Sequence, residues 1–156
     1  MYNFDMRILL LSNSNGATLN IQRAIEKTSP DIIFHLGGNV NDIASVRTDI
    51  PVYITKGPHD LFVNAPKVAK ILLDKTIAVY TYGKIFDTDK QLTKLTNFAK
   101  NEKAKLVFYA YGPSGYFERQ GIVFVNPGKI NKKENRYAIV DITKNKITVF
   151  HDSVAY

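Results

Sequence analysis

Short aliphatic segments that each end in a glycine-containing loop recur along the first third of the chain, and this pattern constrains the fold most. Residues 7–12, 31–38 and 51–57 are continuous apolar runs of this kind, which predict strands buried on both faces. Residues 17–28 lie between the first two runs and place apolar side chains at helical spacing. Strand, helix, strand, connector and strand in this order predict right-handed crossovers and a mostly parallel sheet.

The second half of the chain is richer in predicted strands. Residues 67–73 and 76–83 read as two strands joined by a hairpin turn at Asp74-Lys75, and helical spacing returns over residues 91–104. Four further strands are predicted at residues 105–112, 121–128, 136–143 and 146–152, with turns at Gly115, Gly128 and 143–146. We expect this half to be antiparallel. The whole predicts an α/β fold in which two sheets form a β-sandwich flanked by helices, as one domain over residues 1–156.

Composition excludes several classes of protein. The chain has no cysteine, which excludes a disulfide framework, thiolate metal sites and cysteine nucleophiles. It shows no signal-type start, and no apolar run reaches the roughly 18 to 20 residues that cross a bilayer, so we expect a cytoplasmic protein without membrane insertion. The formal net charge of +7 favours acidic partners such as nucleic acid, phosphorylated ligands or acidic protein surfaces, with a solvated lysine-rich surface as the alternative.

Six loops follow the predicted strands, and ligands of open α/β sheets bind beyond the carboxyl ends of the strands. The loops span residues 12–16, 36–38, 57–60, 81–84, 111–115 and 126–129. Their order and spacing resemble the calcineurin-like metallophosphoesterases, particularly the small phosphodiesterase branch that includes the retromer subunit of this fold. The resemblance extends from Met6 to Asp152 and implies the four-layer αββα architecture of that family.

The same resemblance implies a metal centre whose ligands this chain lacks. The family holds two divalent ions, bridged by a carboxylate, which activate water and bind the phosphoryl oxygens. The corresponding positions here are Asn13, Asn15, Gly38, Pro58, Tyr82, Lys84, Pro113 and Gly115. None carries a carboxylate or an imidazole, and Lys84 would repel a cation. We therefore expect no metal cofactor and no hydrolysis by the two-metal mechanism.

His59 and Asp60 keep the last two places of the third loop and are the candidate catalytic residues. In the family, the histidine of this loop can act as a general acid that the aspartate orients. The alternative is a hydrogen bond that stabilises the loop. His35 lies inside a predicted strand and is expected to be a core histidine, whereas His151 is expected at the surface.

Four residues are candidate ligand-binding residues: Lys56, Lys84, Asn126 and Lys129. The resemblance places the three lysines on the rim of the former metal site. An ammonium group can hold a phosphate as a point charge without activating water, and N–H groups of glycine turns would add donors. The alternative is that these lysines are simply solvated. Six aromatic residues are also expected near this rim, as a protein contact surface or as a plug: Tyr80, Tyr82, Tyr109, Tyr111, Tyr116 and Phe117.

Three functional hypotheses follow from the residues and the resemblance. The first is a catalytically inactive metallophosphoesterase-fold protein that acts as a binding or scaffold module for a protein partner, with a rim that can bind phosphate. The second is a phosphodiesterase or phosphatase, either metal-dependent or weakly active without metal through His59 and Asp60. The third is a nucleic-acid-associated factor, which the basic charge alone suggests.

Overall fold

The computed structural model describes residues 5–144 and 146–154, and these residues form two sheets of five strands each. In chain order the strands are β1 (Met6–Leu11), β2 (Ile32–His35), β3 (Val52–Ile54), β4 (Val68–Leu73), β5 (Thr76–Thr81), β6 (Leu106–Phe108), β7 (Gly115–Arg119), β8 (Ile122–Asn126), β9 (Arg136–Thr143) and β10 (Lys146–Ser153). The helices are α1 (Thr18–Thr28), α2 (Thr93–Asn101) and two short 3-10 helices, Val40–Ser45 and Lys84–Phe86. The predicted domain over residues 1–156 and the predicted turn over 143–146 extend to residues 1–4, 145 and 155–156, which lie outside the described residues.

The first sheet has the strand order β10-β9-β1-β2-β3. β1, β2 and β3 pair in parallel, as the alternation of strand and helix predicts. β9 and β10 add to the other side of β1 in antiparallel orientation. Arg7 on β1 lies opposite Asp141 on β9, and its guanidinium donates two hydrogen bonds of 2.9 Å to the buried Asp141 carboxylate.

The second sheet has the order β4-β5-β6-β8-β7 and corrects part of the sequence prediction. Antiparallel pairing holds for β4 with β5, for β7 with β8 and for β9 with β10, but β6 pairs in parallel with both β5 and β8. The physical reason is that α2 returns the chain between β5 and β6, and β7 returns it between β6 and β8. β7 begins at Gly115, where the sequence predicts a turn, and its exposed edge position gives it little buried apolar pattern.

Three hydrophobic clusters define four layers. Alternate residues of both sheets, such as Leu10, Phe34 and Phe108, fill the core between the sheets. α1 buries Ile21, Ala24 and Ile25 on the outer face of the first sheet, and α2 packs on the outer face of the second sheet. This confirms the predicted αββα sandwich. Within the described part of the chain, no helix combines the length and the hydropathy that crossing a membrane requires.

Candidate functional site

The loops after β1 and β2 are joined by backbone hydrogen bonds at the carboxyl edge of the first sheet. The N–H of Asn13 donates to the carbonyl of Gly37 at 2.8 Å, and that of Ser14 donates to the carbonyl of Gly38 at 3.1 Å. Tyr82 follows β5 in the second sheet, and its hydroxyl donates to Asn13 Oδ1 at 3.1 Å. The structure therefore brings together three of the predicted former metal-ligand positions, Asn13, Gly38 and Tyr82, from both sheets.

Gly38 packs directly against Asn13. A Cβ atom at Gly38 would lie 2.4 Å from Asn13 Oδ1 and 2.8 Å from Asn13 Cα, and the backbone φ of Gly38 is +85°. Real Cβ atoms do not approach other atoms this closely, and side chains rarely adopt such a φ. With this packing there is no room at position 38 for the carboxylate that the resemblance places there.

The ring of Tyr82 covers the second and third loops. A Cβ at Gly37 would lie 2.8 Å from this ring, and a Cβ at Gly57 would lie 3.0 Å from it. The Tyr82 ring also packs beside that of Tyr111, with 5.8 Å between centroids. Burial raises the pKa of Tyr82, so its hydroxyl keeps its proton and remains a donor to Asn13.

Asp60 is a buried acceptor for backbone N–H groups. Its carboxylate accepts hydrogen bonds from Gly38 and Gly57 at 2.8 Å and from Val40 at 2.9 Å. Hydrogen bonds of this kind to a charged acceptor stabilise a loop strongly. His59 beside it is exposed, and no hydrogen bond joins the two side chains in the described structure. This geometry favours the loop-stabilising role of Asp60 over the orientation of a general acid.

A second buried network lies behind the first loop. The Gly37 N–H donates to His35 Nδ1 at 3.2 Å, and His35 Nε2 lies 2.9 Å from Ser14 Oγ. The Ser14 hydroxyl in turn donates to Asp42 Oδ2 at 2.7 Å, which also accepts from the Gly16 N–H. Burial lowers the pKa of His35 to about 4, so the ring is neutral. His35 is thus the predicted core histidine, whereas no motif in the sequence singles out Ser14 or Asp42.

Lys56 and Lys84, two of the candidate ligand-binding residues, line one pocket. We call it the lysine pocket; its volume is about 160 Å³, and it is lined by Lys56, Gly57, Pro58, Lys67, Tyr82, Gly83, Lys84 and Ile85. Lys84 Nζ donates to the Tyr111 hydroxyl at 3.0 Å, and this hydrogen bond raises the pKa of Lys84. Lys67 also lines this pocket, and sequence reasoning missed it.

The two other candidate ligand-binding residues lie away from this pocket. The Asn126 side chain is buried and braces its own loop, donating to the Gly112 carbonyl at 3.2 Å and accepting from the Gly128 N–H at 3.0 Å. Lys129 is exposed and does not line the lysine pocket. The Asn126 carbonyl lies 2.7 Å from His151 Nε2, which leaves His151 partly buried rather than fully at the surface.

The remaining former-ligand positions are spread over the rim. Pro58 lines the lysine pocket, whereas Asn15 is exposed. Pro113 and Gly115 line a separate pocket of about 410 Å³ beside β7. The six aromatic residues predicted near the rim lie in different parts of the molecule. Tyr80 is buried between the sheets, Tyr109 is buried under α2, and Tyr116 and Phe117 are exposed on β7. Of this set only Tyr82 lines the lysine pocket, and Tyr111 contacts the lining residues Tyr82 and Lys84.

The residues at this site do not fit a two-metal centre. Such a centre needs several carboxylate or imidazole ligands. Here Gly38 and Pro58 offer no side-chain donor, the Asn13 oxygen accepts from Tyr82, and Lys84 adds a positive charge. Over residues 5–144 and 146–154, no three His, Asp or Glu side chains are grouped so that they could hold a metal ion.

Comparison with known proteins gives one family. A family model described as the calcineurin-like phosphoesterase superfamily domain matches residues 6–145. The crystal structure of a conserved uncharacterized protein from Streptococcus pneumoniae, a predicted phosphoesterase, superposes with a TM-score of 0.79 and 25% identity, over 95% of this chain and 89% of that chain. No curated protein matches the chain in sequence.

Two further solved structures share the fold at lower identity. Vacuolar protein sorting 29 from Chaetomium thermophilum has a TM-score of 0.72 and 13% identity, over 99% of this chain and 100% of that chain. The protein of the same name from Cryptosporidium parvum has a TM-score of 0.68 and 14% identity, with the same coverage. At this identity the likeness shows the fold alone.

Proposed function

The chain belongs to the calcineurin-like phosphoesterase superfamily, and we propose that it functions as a binding module without two-metal hydrolysis. The observation that carries this proposal is the contact between Asn13 and Gly38 under the Tyr82 hydroxyl. Asn13 fills the space in which the family resemblance places a bridging carboxylate at position 38, and Tyr82 donates a hydrogen bond to Asn13. Packing and neutral hydrogen bonds replace metal coordination at the centre of the site.

The ligand class that we propose is a phosphate-bearing anion. Lys56, Lys67 and Lys84 surround the lysine pocket, and no carboxylate lies among its lining residues. The one acidic side chain of the adjoining loop, Asp60, is turned inward to backbone N–H groups. An ammonium group attracts phosphate without lowering the pKa of a bound water as a metal ion does. Such a pocket supports binding but not the activation of a nucleophile.

A protein partner is the second part of this proposal. The fold occurs both in a predicted phosphoesterase and in proteins named for vacuolar sorting, so it is not restricted to one activity. The exposed Tyr116 and Phe117 on the edge strand β7 are suitable contact residues. A cytoplasmic location belongs to the same proposal and rests on the absence of cysteine.

Calorimetry and a hydrolysis assay test the proposal together. We expect inorganic phosphate, titrated into the protein, to give a binding isotherm that Lys84→Gln weakens and Lys133→Gln, an exposed control outside the pocket, leaves unchanged. We expect Mn²⁺ to give no site-specific heat and bis-p-nitrophenyl phosphate to remain intact. Manganese-dependent hydrolysis would contradict the proposal. Metal-free hydrolysis that disappears in His59→Ala would support the alternative in which His59 and Asp60 are catalytic.

Salt dependence separates the nucleic-acid hypothesis from this one. Binding to nucleic acid releases counterions in proportion to the phosphates that are neutralised, so its affinity falls steeply with salt. We expect no retention of a short duplex at physiological salt. Tight, steeply salt-dependent retention would favour the nucleic-acid-associated factor instead.

A further inference from the structure

Two exposed apolar side chains project beside the lysine pocket, in the loop between β3 and β4. The exposed fraction is 69% for Leu61 and 105% for Phe62, so the Phe62 ring makes almost no contact with the rest of the molecule. The Phe62 backbone has a φ of +65°, a conformation that is costly for a bulky residue. An aromatic ring held outward at a conformational cost indicates a role in recognition.

The base of this loop, which we call the Phe62 loop (residues 57–66), is firmly braced. Asp60 binds the N–H groups of Gly57 and Gly38, and the Lys56 N–H donates to the Pro66 carbonyl at 3.0 Å. These hydrogen bonds close the loop at both ends and fix the direction in which its tip projects. The apolar tip therefore projects from a braced base.

The surroundings of the tip are positively charged. Lys56 and Lys67 line both the lysine pocket and a second pocket, of about 270 Å³, that Leu61 and Phe62 also line. From residue 56 to residue 73 the only acidic side chain is the buried Asp60. Asp89 and Asp87 lie near Lys84 and oppose its charge, but Asp87 is itself paired with Lys94 at 2.9 Å.

We propose that the Phe62 loop and the lysine pocket dock this protein on the surface of an anionic lipid membrane. Leu61 and Phe62 enter the interface between headgroups and acyl chains, and a headgroup phosphate lies against Lys56, Lys67 and Lys84. Apolar burial and attraction to anionic lipid add together at such sites. The contact is peripheral and needs no spanning segment. The headgroup contact rests on the proposed anion pocket, whereas the apolar contact does not.

The shape of this surface favours a membrane over a protein partner. The Phe62 side chain is fully exposed and projects beyond the pocket that it borders, and a bilayer accepts a protruding apolar group of any shape. A protein partner would have to provide a recess that matches Leu61 and Phe62. Lys56 and Lys67 lie beside the tip, and Lys84 lines the lysine pocket that they share. Separate charges of this kind suit the dispersed charge of a lipid surface, and the net charge of +7 attracts the whole chain to it.

A single tryptophan provides the test, because the chain contains none. The variant Phe62→Trp is mixed with vesicles of two parts phosphatidylcholine to one part phosphatidylglycerol, and with vesicles of phosphatidylcholine alone. We expect the emission to shift to the blue with the anionic vesicles only. The matched control, Phe150→Trp at an exposed position of β10 in the first sheet, should show no shift. No shift of the Phe62→Trp emission with anionic vesicles overturns the inference.

Sedimentation with the same anionic vesicles measures how much the apolar tip and the lysines each contribute to vesicle binding. We expect Phe62→Ser to lower partitioning at least about tenfold, from the lost apolar burial. Lys67→Gln should lower it about fivefold, while the controls Phe150→Ser and Lys133→Gln leave it unchanged. Both substituted side chains are exposed, and an unchanged circular dichroism spectrum verifies folding. Full partitioning of Phe62→Ser contradicts the inference.

Phosphate calorimetry separates this inference from the proposed function. If phosphate binds the pocket but vesicles do not bind, the membrane inference fails and the proposed function stands. If neither binds, both fail. If an acidic peptide such as polyglutamate shifts the emission of Phe62→Trp and anionic vesicles do not, the occupant is a protein and the inference is again overturned.

Discussion

Two groups of residues at the loop edge of the sheets use polar groups in opposite ways. In the first region, which we call the inner rim (Asn13, Ser14, His35, Gly38 and Asp60), each polar side chain is hydrogen-bonded inside the molecule. In the second, the outer rim (Lys56, Phe62, Lys67 and Lys84), the side chains face outward at the lysine pocket and the loop tip. A buried network that is fully satisfied stabilises a fold, whereas exposed charge and apolar area remain available for a ligand.

Removal of the Asp60 carboxylate should cause the largest loss of stability. Asp60→Ala leaves the N–H groups of Gly38, Val40 and Gly57 without their acceptor, and each buried donor left unpaired carries a penalty. We expect a loss of about 4 kcal/mol in the free energy of unfolding, measured by urea denaturation. Asp89→Ala, an exposed control, should leave the midpoint unchanged. An equal loss in the two variants would show that Asp60 does not brace the rim.

Gly38 of the inner rim and the nearby Gly16 allow the effect of packing to be measured separately from that of backbone strain. Gly38 and Gly16 have nearly the same φ, +85° and +84°, but a Cβ at Gly16 meets no atom within 4 Å. We expect Gly16→Ala to cost about 1 kcal/mol and Gly38→Ala about 3 kcal/mol, because only the second adds a clash to the unfavourable φ. Thermal unfolding of both variants measures the difference. Equal costs would mean that Asn13 moves aside, and the site could then accommodate a carboxylate.

His35 makes the stability of the inner rim depend on pH. Its pKa in the folded protein is about 4, below the ordinary value of 6.5, so the unfolded chain takes up the proton first as the pH falls. This part of the stability is complete above pH 6.5 and is lost progressively down to about pH 4. Between pH 7 and pH 5 we expect a loss of about 2 kcal/mol.

The variant His35→Gln isolates this loss. It should be less stable than the parent protein at pH 7, but its stability should change less between pH 7 and pH 5, since the other titrating groups are common to both chains. Denaturant titrations at the two pH values give the difference. Parallel pH profiles would show that the imidazole becomes protonated without unfolding the rim.

Substitutions in the outer rim should have the smallest effect on stability. Phe62→Ser and Lys67→Gln alter exposed side chains, and surface substitutions of this kind stay within about 0.5 kcal/mol. We expect both variants to unfold at the midpoint of the parent protein while they lose vesicle or phosphate binding. A large destabilisation would show that the outer rim supports the fold as the inner rim does.

The sequence predicts the scaffold well because its core strands are continuous aliphatic runs. β1, α1 and β2 lie within a few residues of their predicted bounds. The order of the glycine loops identifies the family, and it correctly places Asn13, Gly38 and Tyr82 near one another. These features can be predicted because the spacing of hydrophobic residues in a sequence indicates which residues are buried.

The pairing partners and the roles of polar residues are harder to predict. Hydrophobic spacing does not indicate which strand lies beside β6. The exposed edge strand β7 has too few buried residues to show a hydrophobic pattern. In the sequence, Asp60 stands beside His59 and resembles its catalytic partner. The sequence does not show its backbone donors, because they lie up to 22 residues away along the chain. Lys67 has no motif around it. The prolines at both ends of the Phe62 loop, Pro58 and Pro66, are the one signal that the chain leaves the sheet there and returns close to Lys56.

The position of β9 beside β1 has a consequence for how the chain folds. Met6 on β1 pairs with Ile142 on β9. The edge of β1 that faces β9 is therefore covered only after almost the entire chain has been synthesised. The second sheet draws only on β4 to β8 and closes earlier during synthesis. Contacts of such long sequence separation slow folding, and an uncovered strand edge is a site of aggregation. Until β9 is synthesised, β1 therefore has a free edge, and we expect the incomplete chain to be more prone to aggregation than the finished protein.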